Sequence, residues 1–120
     1  MSANYADQTA FEVRREDVGD VPVVAVIGEV DLATADTVRD ALQAVTAGPL
    51  VLDLCETSFI DSSGLRVILM ERERRSGVLH VACAPDGPIT RIFEVSGIDA
   101  QLALHKTRDA AVAAASTAER

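Results

Sequence analysis

The run "VLDLCETSFIDSSGLRVILM", Val51 to Met70, constrains this chain more than any other stretch. Residues 49–54, "PLVLDL", are almost continuously apolar, as expected of a central strand covered on both faces. The apolar run then gives way to Asp61, Ser62, Ser63 and Gly64 and resumes as a helical pattern, with Leu65, Ile68 and Leu69 on one face. Such a succession is a strand-to-helix junction. A serine placed there can cap the helix, attack a substrate or carry a phosphate.

The remaining segments repeat the alternation of strand and helix. "FEVRR" and "VPVVAVI", residues 11–15 and 21–27, read as two strands joined through the polar turn "EDVGD", a hairpin. "DLATADTVRDALQAVTAG" places Ala35, Val38, Leu42 and Val45 at helical spacing, with Asp31 or Thr34 to cap its start and Gly48 to end it. "ERERRSG" reads as a solvated end to the helix that follows the serines, with Glu71 paired to Arg75 at i,i+4. "VLHVACA", residues 78–84, is a further buried-type strand. "PDGPITRIFEVSG" is a short helix with Pro near its start and Gly97 past its end. "LALHKT" reads as an edge strand and "RDAAVAAASTAE" as an Ala-rich terminal helix. The expected fold is therefore α/β: about four to five strands in a mixed, mostly parallel sheet, packed with about four helices. No linker or repeat divides it, so residues 1–120 are expected to form a single domain with its core at about 10–117.

Composition excludes several activities. With 19 acidic residues against 11 basic ones, the formal charge of -8 repels a phosphate backbone, so no direct nucleic-acid partner is expected. No Trp and few Phe or Tyr are present for base stacking. The first residues lack the basic start and apolar run of a signal peptide, and no apolar segment approaches the ~20 residues that span a bilayer. A cytoplasmic protein without membrane attachment is expected. Cys55 and Cys83 lack CxxC spacing and read as two buried thiols rather than a disulfide framework or zinc site.

The serines do not look catalytic. The only candidate bases are His80 and His105, and Ile60 stands where a nucleophile elbow has its first glycine. His80 lies in an apolar strand and reads as a core histidine. Neither phosphate-cradling glycine loop occurs, and no cofactor is expected. Asp53, Asp61, Asp31 and Glu29 have no His or Cys companion that would favour a metal. "DSSG" is a sound helix start, but a single cap does not account for two serines and a glycine in succession. A small hydroxyl-bearing patch there is open to a kinase, and the positive end of the helix dipole favours an attached phosphate.

"LVLDLCETSFIDSSGLRVIL" resembles the signature segment of the STAS domain, specifically of bacterial anti-sigma factor antagonists. "VIGEVDLATAD" is similar to the family's Gly-Glu-hydrophobic-Asp segment, and "ITRIFEVSGID" to its later helix and Ser-Gly turn. The resemblance runs from about Val21 to Ala115. It implies that Ser62 is a phosphoacceptor. The expected partner surface comprises Glu29, Asp31, Ile60, Asp61, Ser62, Ser63, Gly64 and Arg66, with Asp31 included because neighbouring strand ends of an α/β sheet can converge on one rim and bring it near the Asp61 loop. The implied partners are an anti-sigma factor serine kinase of the histidine-kinase-like ATPase fold and a PP2C-type phosphatase, with no catalytic activity in this chain. The unphosphorylated form would bind the kinase and release a sigma factor, and phosphorylation would end binding. Arg66 stands where many relatives have glycine, and Glu56 and Thr57 where small or apolar residues are common. Two other uses compete with this one: a STAS module in a regulatory or transport-accessory complex without a sigma circuit, and weak nucleotide hydrolysis.

Overall fold

The β-branched runs near the start pair as the alternation requires. In the computed structural model, which describes residues 10–46, 48–75 and 78–118, β1 (Glu12–Val18) and β2 (Val21–Val30) form an antiparallel hairpin with Glu12 opposite Ile27 and Val18 opposite Val21. The turn is shorter than the sequence suggests, because Glu16 to Val18 continue the strand and only Gly19 and Asp20 turn.

β2 is ten residues long and serves three partners in succession. Its first half pairs in parallel with β3 (Leu50–Asp53), Val24 lying opposite Leu52. At Gly28 the register shifts, and the second half pairs with β4 (Thr57–Ile60), Val30 lying opposite Ile60. Gly28 has φ +100°, and a Cβ there would lie 2.5 Å from the Ala10 carbonyl oxygen, so the bulge requires glycine. The sequence patterns do not announce β4. It is four residues long, with only its end residues buried, and its pairing depends on the bulge rather than on a pattern of its own. It takes the sheet from the five strands legible in the sequence to six.

The sheet order is β1-β2-β3-β5-β6, with β4 joined to β2; β5 is Leu79–Ala82 and β6 Ala103–His105. All pairs except the hairpin are parallel. Alternate residues of the central strands face two apolar layers. Val24, Val26, Leu50, Leu52 and Val81 pack with α1 (Ala35–Gln43), α2 (Ser62–Arg74) and α3 (Pro88–Ser96). Val21, Val23, Val51 and Ala82 face Ala111 and Ala115 of α4 (Arg108–Ala118), whose small side chains let the helix lie close. Thus four α-helices cover the sheet among the described residues, and none is long and apolar enough to cross a membrane. The first nine residues and the extreme end of the expected terminal helix lie outside the described residues.

Among the polar groups of the strands, His80 is buried as expected, Asp53 is held by ion pairing, and one of the two thiols expected to be buried is not. Asp53 ends β3 and accepts from Arg108 Nε at 2.7 Å, while the same guanidinium reaches Glu16 on β1. His80 Nδ1 lies 3.0 Å from His105 Nε2 across β5 and β6, and burial, then the charge of His105, hold His80 below the ordinary imidazole range. Cys83 is buried as expected, but Cys55 is exposed at the end of β3.

The larger departure is at the end of α2. Glu71 and Arg75 do pair, but neither is solvated: their side chains are 3% and 1% exposed. Arg75 donates to the carbonyls of Leu42 (3.0 Å), Val45 (2.6 Å), Thr46 (3.0 Å) and Gly48 (2.8 Å). α1 ends at Gln43, well before Gly48. The Leu42 carbonyl in its last turn and the carbonyls of the loop that follows converge on a guanidinium from the end of α2, and no glycine closes the helix. Removing one member of a buried pair leaves the other charged and unmatched, which typically costs about 3–5 kcal/mol. Arg75→Ala is expected to lower the urea-derived unfolding free energy by that order, whereas Arg72→Ala, which breaks an exposed pair with Glu73, should change it by no more than about 1 kcal/mol. Equal small losses would show that the clamp contributes little.

Candidate functional site

The site is assembled by the parallel pairing of β2 with β4. Because Val30 lies opposite Ile60, the next residues of both strands, Asp31 and Asp61, emerge side by side at one rim, and the Asp61 N–H donates to the Val30 carbonyl at 3.0 Å. Each aspartate then organises its own turn. Asp31 Oδ1 accepts from the N–H groups of Ala33 (3.0 Å) and Thr34 (3.2 Å). The Thr34 hydroxyl accepts from the Asp31 N–H and donates to the Glu29 carbonyl, both at 2.9 Å. Thr34 occupies the cap position of α1 without capping a helix N–H, so the capping work falls to Asp31 in the preceding turn.

Asp61 caps α2. Its Oδ1 accepts from the N–H groups of Ser63 (2.8 Å) and Gly64 (3.2 Å), and its carbonyl accepts from the Leu65 N–H at 3.0 Å. Ser62 is therefore the first helical residue and is exposed, while Ser63 is half-buried. The helix start lies directly on the strand ends: a Cβ on Gly64 would fall 2.6 Å from Ile60 Cγ2 and 2.8 Å from Val30 Cγ1.

Of the residues expected at a partner surface, Glu29, Asp31, Asp61, Ser63 and Arg66 are exposed or half-buried, and Ser62 stands exposed among them. Ile60 and Gly64 are buried. They set the height of the loop and offer no surface of their own. Thr57 is also internal, its hydroxyl donating to the Val26 carbonyl at 2.7 Å, so of the two loop substitutions only Glu56 brings charge to the surface. Asp53 lies apart in its ion pair with Arg108, and among the described residues no three His, Cys, Asp or Glu side chains converge to hold a metal.

The rim continues into an open groove of about 720 Å³ between α1 and α2, lined in part by Ser62, Arg66, Leu32, Arg39 and Met70. Leu32 and Met70 are 82% and 62% exposed. Sequence reasoning missed both. Met70 was findable, since it falls off the Leu65, Ile68, Leu69 face. Leu32 was not, because it continues the spacing of Ala35, Val38 and Leu42 but precedes the helix, in a turn that holds it outward. Opposite charges share this surface: Glu29, Asp31, Asp36 and Asp61 against Arg39 and Arg66.

The STAS domain family profile matches residues 12–111. The chain belongs to the STAS domain family. It is 32% identical over 94 residues to the anti-sigma F factor antagonist of Paenibacillus polymyxa, the match covering 73% of this chain and 80% of that protein. Among solved structures it resembles an anti-sigma factor antagonist from Mycobacterium paratuberculosis, with 28% identity, TM-score 0.80, and coverage of 89% of this chain and 95% of that one. The Bacillus cell fate determinant SpoIIAA in its phosphorylated form shares the fold, at 20% identity and TM-score 0.58 over 86% of this chain and 96% of its own. The STAS segment around "DSSG" is thus the α2 start described above.

Gly64→Ala tests the seating of that start. Ala normally favours a helix interior over Gly by about 1 kcal/mol, but here the added methyl meets two buried side chains, and overpacking of this kind typically costs about 1–3 kcal/mol. A net loss of stability in urea denaturation is expected, with Ser63→Ala within about 0.5 kcal/mol of wild type. A stabilised Gly64→Ala would show that the contact is loose.

Proposed function

We propose that this chain is an anti-sigma factor antagonist switched by phosphorylation at Ser62. Unmodified, it binds an anti-sigma factor that is itself a serine kinase of the histidine-kinase-like ATPase fold, and that binding frees a sigma factor. Transfer of a phosphoryl group to Ser62 Oγ ends the binding, with ADP leaving and the hydroxyl proton passing to a base on the kinase. A PP2C-type phosphatase restores the first state. The protein is cytoplasmic and acts only as binding partner and substrate.

The observation that carries this reading is the position of Ser62: exposed at the first turn of α2, on a rim with Asp31, and opening onto the groove with its exposed Leu32 and Met70. Apolar side chains flanking a small hydroxyl suit a partner that must approach closely. A phosphate adds roughly -1.5 to -2 charge beside Asp61. Desolvating that charge against a partner that fits the unmodified rim opposes docking. The names of the relatives from Paenibacillus and Mycobacterium support the same role. A hydrolytic role finds no support, since the two histidines bond each other across β5 and β6 and neither lines the groove.

Ser62→Ala is expected to bind the cognate kinase persistently in the presence of ADP or ATP, because it keeps the approach surface and cannot be modified. Ser62→Asp should bind more weakly while circular dichroism shows it folded. Its single charge makes it a partial mimic of phosphate. A penalty of ~3 kcal/mol would weaken affinity more than a hundredfold. Equal affinities for Ser62→Ala, Ser62→Asp and the phosphorylated wild type would reduce Ser62 to a helix-start residue with no part in the switch.

A further inference from the structure

An acidic chain that gains a phosphate beside Asp61 needs somewhere to place the added charge. The start of α2 is less available than a bare helix N-terminus, because Asp61 already holds the N–H groups of Ser63 and Gly64 through its carboxylate and that of Leu65 through its carbonyl. One turn further along, at i+4 from Ser62, stands Arg66, lining the same groove. Residues four apart on a helix are surface neighbours, and an anion N-terminal to its cation is the favoured order.

Arg66 is also uncommitted. Among the described residues it takes part in no hydrogen bond or ion pair, whereas the other guanidinium of the groove, Arg39, is held by Asp36 at 2.9 Å and Asp40 at 3.1 Å. Arg72, Arg74 and Arg75, toward the end of the same helix, are paired with Glu73 or Glu71. Three features therefore meet at this rim: a first turn in which Asp61 holds three of the amides, an exposed acceptor, and a free planar donor one turn away.

We propose that Arg66 captures the phosphate once Ser62 is modified, so that phosphorylation adds negative charge to the rim and also withdraws its free guanidinium. The inference rests on Ser62 being the acceptor. The guanidinium fork matches two phosphate oxygens at once, which a lysine cannot do. In the unmodified protein Arg66 remains free for an acidic group of the partner. In the modified protein it is tied to its own helix. The local field is mixed: Asp61 beside the acceptor, Asp31 and Glu29 at the end of β2, and Asp36 on α1 oppose the phosphate dianion, while Arg39 and Arg66 favour it. Only Arg66 among these cations has no carboxylate already attached.

Phosphoserine installed at position 62 by genetic encoding, which needs no kinase, allows a direct test. Its second ionisation would be followed by phosphorus NMR between about pH 4 and 8, a range that brackets the phosphate pKa of roughly 6. The series comprises the otherwise wild-type chain, Arg66→Gln, Arg66→Lys, and Arg91→Gln as a charge control at an exposed position of α3 outside the groove. The phosphate pKa is expected to lie a few tenths of a unit lower in the chain that keeps Arg66 than in the Arg66→Gln variant, as an i,i+4 ion pair implies. Arg66→Lys should keep part of that shift, and Arg91→Gln should match wild type. Equal values for wild type and Arg66→Gln, or equal rises in Arg66→Gln and Arg91→Gln, would overturn the capture. Failure of a kinase to modify Ser62 would instead overturn the switch itself, and the two failures are read from different experiments.

Discussion

The first turn of α2 rests so closely on the ends of β2 and β4 that residue 64 has no room for a side chain, and the site depends on that contact. Val30 and Ile60 are paired and buried, so they form a fixed floor. Gly64 sits on it, Asp61 ties the turn to the strand end, and Ser62 is left on the outside. The floor in turn depends on the bulge at Gly28, without which β2 would have no second half to offer β4. One backbone irregularity thus brings Asp31 and Asp61 to the same rim.

Charge is arranged differently at the two ends of α2. At its C-terminal end Glu71 and Arg75 are buried and matched, with the guanidinium spread over four carbonyls of the α1 end and the loop after it. Near its N-terminal end Arg66 lines an open groove and is unmatched among the described residues. A buried, saturated cation holds the helices in place and cannot respond to a new charge. An accessible one can. The same helix is therefore anchored at one end and chemically responsive at the other, an arrangement in which a charge added at the rim changes the surface without disturbing the core.

Much of this was legible in the residues. The continuous apolar runs marked β3 and β5, the helical spacing marked α1 and α2, and "DSSG" marked the strand-to-helix junction, because each is a local pattern with a local cause. What escaped was set by tertiary partners. β4 exists through a bulge in a distant strand. "ERERRSG" has the composition of a solvated end, and nothing within it shows that Arg75 will find the carbonyls of another helix. Ile60 and Gly64 belong to the motif yet lie beneath the surface that the motif builds, and Leu32 mimics a core position from just outside its helix.

The identity of the modified hydroxyl is the point on which the functional reading stands. Ser62 and Ser63 are adjacent, but only Ser62 is exposed, Ser63 is half-buried, and the Ser63 N–H is already bound by Asp61. Peptide mass spectrometry of the chain after incubation with the proposed anti-sigma factor kinase and ATP measures this directly. Phosphate is expected on Ser62 alone; phosphate on Ser63, Thr57 or Ser58, or none at all, would contradict the assignment.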